Sequence, residues 1–173
     1  MTGEELLDRL ARRHEAKNWV FFVEFRIGTG YGKDAEQRVD AWAIDLYPSH
    51  RMERVAYEVK VTREDFLREI KNPEKRRAAL RLSNKFWFVA PPGIVKPEEV
   101  PLDCGLLESS ELPRHYTGFV ETVRAPWRDT PAPTWRLICG CCASCATGGS
   151  ERQRRCRQVN YPALKSGAFD LEV

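Results

Sequence analysis

Apolar positions along this chain change their period several times, and each change predicts a new element. Leu6, Leu7, Leu10 and Ala11 recur at helical spacing behind Thr2 and Glu5, whose separation is that of a capping box. A helix is therefore expected from the N-terminus to about Lys17-Asn18. Trp19 to Ile27 is dense in aromatic and β-branched residues and predicts a strand, which Gly28, Gly30 and Gly32 break. A polar loop over Lys33 to Gln37 leads to a second strand, Val39 to Leu46, then a turn at Pro48-Ser49-His50 and a third strand, Arg54 to Val61. Thr62 caps a helix with Asp65 at its third residue and Phe66, Leu67 and Ile70 facing inward. Asn72-Pro73 ends it and opens another, proline being well placed in a first helical turn, and this second helix runs to about Leu82. Phe86 to Ala90 is a continuous apolar run of the kind a buried central strand has, and Gly105 to Glu108 could add a last short strand.

Helix, three strands, two helices, strand predicts a mixed α/β (α+β) domain over residues 1–125. Pro126, Pro131 and Pro133 mark a linker over 126–137, and a Cys- and Arg-rich tail fills 138–173. Composition adds little at first. Of 173 residues, 42% are hydrophobic and 31% charged, enough for a core with a solvated surface, and the net charge is only +3, which excludes a histone-like polycation. No run approaches the roughly 20 apolar residues of a membrane span. The first residues read as a charged amphipathic helix rather than a signal peptide, so a soluble, cytoplasmic protein is expected. Five of the six cysteines lie between Cys139 and Cys156, with Cys104 apart, which is not the pattern of a disulfide framework.

The chemistry concentrates at Asp40, Glu58 and Lys60. Side chains alternate along a strand, so Glu58 and Lys60 share a face. A bulge-free hairpin centred on Ser49 places Asp40 directly opposite Glu58, with Cβ atoms roughly 4.5–5.5 Å apart. Two facing carboxylates repel unless a cation lies between them. A hard divalent ion suits, because Mg²⁺ takes one or two carboxylates together with waters and phosphate oxygens. Lys60 beside such an ion would orient an attacking water and offset charge on a phosphate, an arrangement suited to phosphodiester hydrolysis.

The wider run is more specific. Arg38-Val39-Asp40, Tyr57-Glu58-Val59-Lys60, Thr62 with Asp65-Phe66, Pro73 with Lys75-Arg76, Phe88-Val89-Ala90-Pro91, and Val100-Pro101 with Gly105-Leu106-Leu107 resemble the PD-(D/E)xK nuclease superfamily, and within it the MmcB-like DNA-repair-associated family. The resemblance covers roughly Trp19 to Glu108, and Val39 stands where the motif usually has proline. It implies a restriction-endonuclease-like core, a small mixed sheet flanked by helices. It also implies metal ligation by Asp40, Glu58 and the Val59 backbone carbonyl, with Mg²⁺ or Mn²⁺ as cofactor and Lys60 as the catalytic lysine. The superfamily often adds a glutamate, for which Glu5, Glu15 and Glu24 all stand open. Asp65-Phe66 is better explained as cap and core than as catalysis.

From Lys60 to Lys85 there are nine Lys/Arg and four Asp/Glu, a local excess larger than that of the whole chain. Lys71, Lys75, Arg76, Arg77 and Arg81, with Arg38, are the expected phosphate contacts, holding nucleic acid in register without reading sequence. Trp42 and Trp87 are expected in the core. In the tail, Cys139, Cys142, Cys145 and Cys156 could enclose a structural Zn²⁺, an iron–sulfur cluster being the weaker alternative. Arg152, Arg154, Arg155 and Arg157 keep the tail basic. The expectation is thus a metal-dependent nuclease acting on DNA in repair or processing, alone or as a homodimer. The competing readings are a DNA-binding adaptor that keeps the fold without catalysis, and a zinc-stabilised interaction module.

Overall fold

A computed structural model of the chain describes residues 1–15, 18–27, 38–112, 118–135, 137–139 and 141. Helix α1 (Gly3–Arg13) opens with the expected capping box: the Glu5 N–H donates to Thr2 Oγ1 at 3.2 Å, and the Thr2 N–H donates to Glu5 Oε2 at 2.7 Å. It stops earlier than its polarity suggests, because His14 leaves the helix to bury its ring against Trp19 and Phe21, with Nε2 2.7 Å from the Tyr57 hydroxyl.

Strands β1 (Trp19–Arg26), β2 (Arg38–Asp45) and β3 (Arg54–Val59) form an antiparallel meander. The turn between β2 and β3 is a single 3₁₀ turn, Pro48–His50, and the pairs Ala41↔Tyr57, Trp42↔Ala56 and Ala43↔Val55 have the register of a bulge-free hairpin centred on Ser49. Helix α2 (Arg63–Ile70) is capped by Thr62, whose hydroxyl accepts the Asp65 N–H, and α3 (Glu74–Leu82) follows Pro73. The chain then returns through β4 (Lys85–Ala90), parallel to β3, and β5 (Gly105–Ser109), parallel to β4. A sixth strand, β6 (Phe119–Val123), pairs antiparallel with β5; its short, partly polar Phe-Val-Glu-Thr-Val run carries little strand signal on its own.

The result is one six-stranded mixed sheet with the strands side by side in chain order. On one face α1 buries Leu6 and Leu10 against Phe21, Ala41, Tyr57, Trp87 and Leu107. On the other, Phe66 of α2 and Ala79 of α3 pack on Trp42, Ala56, Phe86, Phe88 and Leu106. Trp42 and Trp87 are core residues, as expected. No helix among the described residues is long and apolar enough to cross a membrane.

The segment expected as a linker is fastened to the domain. The Arg128 N–H donates to the Asn84 carbonyl, Asn84 Nδ2 donates back to the Arg128 carbonyl, and buried Arg54 donates to Thr130 Oγ1 and the Pro131 carbonyl. Leu137 is buried in the α2–α3 side of the core.

Gly105 is required where β5 meets Trp87 and Ala125. A Cβ there would lie 2.5 Å from Trp87 Cε3 and 2.6 Å from the Ala125 backbone nitrogen, so ring or backbone must move. Gly105→Ala is expected to cost about 1–3 kcal/mol, the range for overpacking a filled core. Urea denaturation checks it, and an unchanged midpoint would show that Ala125 can lift away freely.

Candidate active site

The hairpin register continues past its last backbone pair, Ala41↔Tyr57, and brings Asp40 beside the end of β3. There the Asp40 carboxylate takes over from the ladder: the Val59 N–H donates to Asp40 Oδ2 at 2.7 Å. Lys60, the residue after β3, is held to β4 through its N–H, which donates to the Val89 carbonyl at 2.8 Å. Its side chain is buried, and Nζ donates to Glu58 Oε1 at 2.8 Å. Asp40, Glu58 and Lys60, expected together from the sequence, therefore share the carboxyl end of β3. The ends of parallel strands are where open α/β sheets present ligand sites.

Glu69 joins them from α2, its Oε2 3.5 Å from Lys60 Nζ and the residue 7% exposed. Charged residues on a helix are usually solvated, so the sequence alone does not single out Glu69. The overlooked signal is its place three residues after Phe66, on the face that α2 turns to the core.

Glu24 is the other acid in reach. The pairs Val23↔Ala41 and Phe25↔Val39 keep one register on either side of it, so Glu24 faces Asp40. It has a left-handed φ of 50°, a conformation that non-glycine residues hold at a cost and that clusters at functional positions. The twist resets the alternation of β1: Phe22 and Phe25, three residues apart, both enter the α2–α3 core, with ring centroids 5.3 Å apart. Of the three glutamates left open, Glu24 is the one whose charge acts on Asp40; Glu5 is spent in its capping box. Glu15 lies exposed just beyond α1.

The electrostatics follow from three carboxylates around one ammonium in a half-dry corner. Burial, and then the Asp40 charge, push Glu58 up to about 7, against the pull of Lys60. Burial likewise raises Asp40; Glu69 and Glu24 add to it, while the Val59 N–H and Lys60 oppose it. Burial works against the Lys60 charge, yet Glu58, Glu69 and Asp40 outweigh it and hold the ammonium above its ordinary value. A divalent cation bound in this corner would stabilise both carboxylates as anions.

Among the described residues no group of three His, Cys, Asp or Glu closes into a ready-made metal cluster. The donor set nevertheless fits a hard ion that keeps most of its waters. Asp40 and Glu58 would hold it, with the Val59 carbonyl beside them, and oxygen-only donors suit Mg²⁺ or Mn²⁺ rather than a softer metal.

The basic residues divide. Arg38, Lys71, Lys75, Arg77 and Arg81 are exposed, with Arg77 tied to Glu74 at 2.7 Å. Arg76 does not belong with them: it is 8% exposed, because it lies on the side of α3 that carries Ala79 and Leu80 inward. Arg26, which belongs to no motif in the sequence, pairs with Arg38 across β1 and β2, so two exposed arginines stand together two residues from Asp40. Like charges opposite one another are unfavourable unless an anion joins them. Of the proposed thiolate ligands, Cys139 is exposed, and Cys142, Cys145 and Cys156 lie outside the described residues.

No known family matches the chain, and no curated protein matches its sequence. Among solved structures it is similar to the SPO1766 protein of unknown function from Silicibacter pomeroyi, with a TM-score of 0.59 and 22% sequence identity. The superposition covers 86% of this chain and 89% of that chain, a likeness of fold over nearly the whole of both.

Proposed function

We propose that this chain is a Mg²⁺- or Mn²⁺-dependent phosphodiesterase acting on DNA, with its reaction centre at Asp40, Glu58 and Lys60. The observation that carries the reading is the meeting of Asp40, Glu58 and buried Lys60 at one strand end, with Lys60 Nζ 2.8 Å from Glu58. A bound divalent ion would supply Lewis-acid activation of a water and of the scissile phosphate. The protein's own part is positional. Asp40 and Glu58 fix the anionic side of the site. Lys60, tied to β4 by its backbone, presents a charge that favours the growing negative charge on the phosphate oxygens. Glu69, 3.5 Å from Lys60 Nζ, would still pair with Lys60 were Glu58 to hold a metal. Arg26 and Arg38 are suited to take a neighbouring phosphate of the strand, and the exposed lysines and arginines of α3 a more distant one.

Pure protein is expected to nick supercoiled plasmid DNA in Mg²⁺ or Mn²⁺ and to leave it intact in EDTA. Single-stranded DNA, branched DNA and RNA run alongside resolve the substrate. If none is cut with either metal, the catalytic reading is lost. Salt-dependent DNA binding without cleavage would then support the adaptor reading.

A further inference from the structure

Away from the acidic corner, at the opposite end of the parallel strands, buried Arg76 and half-buried Arg128 carry buried nitrogens without partners. Arg76 reaches inward from α3, and its Nε and Nη1 are buried and make no hydrogen bond. Arg128 donates Nη1 to the Asp103 carbonyl, but its buried Nε and Nη2 also make none. Arg128 is anchored by its backbone to Asn84, just before β4, and by its side chain to Asp103, just before β5. Both guanidiniums act electrostatically on buried Cys104, so both lie near the start of β5. Asp103 offsets one of the two charges, and its carboxylate is engaged by the Cys104 thiol at 3.3 Å.

Arg128 thus leaves free Nε and Nη2, the edge a guanidinium uses to grip a carboxylate or phosphate in two parallel bonds, while Arg76 offers Nε and Nη1 as separate single donors. A buried guanidinium with unmade hydrogen bonds is costly, and removing a charge from water without a counter-charge costs more. An anion answers both deficits. We propose that Arg76 and Arg128 form an internal oxyanion site beside Cys104, taking a single phosphate- or carboxylate-sized anion. The occupant is a free inorganic oxyanion, for which phosphate is the probe. The site is built independently of the acidic corner and does not depend on the chain being a nuclease.

Thermal unfolding of the full chain, with inorganic phosphate as probe against chloride at equal ionic strength, tests it. Phosphate at tenfold over its Kd is expected to raise the Tm by roughly 3–6 °C. Arg76→Met should abolish the rise, and Arg128→Met carries the same test if the first variant fails to fold. If the parent does not respond to phosphate, or if both arginine variants respond as the parent does, the proposal is overturned.

Discussion

Asp40→Asn and Lys60→Met are each expected to slow metal-dependent DNA cleavage by about 10³-fold while the protein stays folded. That loss corresponds to about 4 kcal/mol of transition-state stabilisation. Asp40→Asn keeps an oxygen for the Val59 N–H, so the strand end should hold its shape while one of the two charges facing a metal disappears. Lys60→Met keeps the volume of the side chain and its backbone bond to Val89, removing only the ammonium between Glu58 and Glu69. Glu69→Gln serves as the graded control: it leaves Asp40, Glu58 and Lys60 in place, and its fall in rate should be well short of the other two. Far-ultraviolet circular dichroism and thermal midpoints establish folding, and plasmid nicking gives the rate. Variants at Asp40 and Lys60 that cut at the parent's rate would move the chemistry elsewhere.

The second large effect is one of stability, and it runs opposite to activity. Glu58 sits at about 7 when folded and at its ordinary 4.5 when unfolded, so between those values the folded protein holds a proton that the unfolded chain has released. Stability contributed by this group is therefore fully present below about 4.5 and is lost as pH rises through about 7. His14 has the reverse sign in an overlapping window. Burial first, and then the Arg13 charge, hold it down to about 3 instead of 6.5, so it adds stability as pH rises toward neutrality. The raw pH profile mixes the two. The difference between the parent and Glu58→Gln isolates Glu58, because His14 is common to both. Glu58→Gln is expected to be more stable than the metal-free parent at pH 8, by on the order of 2–3 kcal/mol, with the gap closing toward pH 4.5. Urea unfolding at several pH values measures it. A gap that does not change with pH would mean that Glu58 ionises as an ordinary exposed glutamate. Mg²⁺ should raise the midpoint of the parent at pH 8 and leave that of Glu58→Gln nearly unchanged.

The parts of this molecule that local chemistry determines were readable from the sequence. Thr2 with Glu5 and Thr62 with Asp65 specify two helix starts through their own hydrogen bonds. A hairpin turned on Ser49 sets its register by turn type and loop length, which is why the sequence already brings Asp40 beside Glu58. Features decided by packing at a distance were less readable. Glu69 and Arg76 look solvated in sequence, since charged residues on a helix usually are, and only the sheet beneath α2 and α3 turns them inward. Helix α1 ends early because His14 finds Tyr57, a partner far along the chain. Strand β6 is weak in itself and is supported by the pairing that β5 offers, and the left-handed turn at Glu24 has no sequence signature in a non-glycine residue.

The order of strands across the sheet repeats their order along the chain. Each strand pairs with the one made just before it, so a chain emerging from synthesis can extend the sheet one strand at a time, with no early strand waiting exposed for a distant partner. Loop closure between the strands of the antiparallel meander carries little entropic cost. Glu24, Asp40, Glu58, Lys60 and Glu69 all precede β4, whose Val89 carbonyl then fixes Lys60. The acidic corner can therefore be assembled while the later half of the protein is still being translated, leaving β5 and β6 free to vary without rebuilding it.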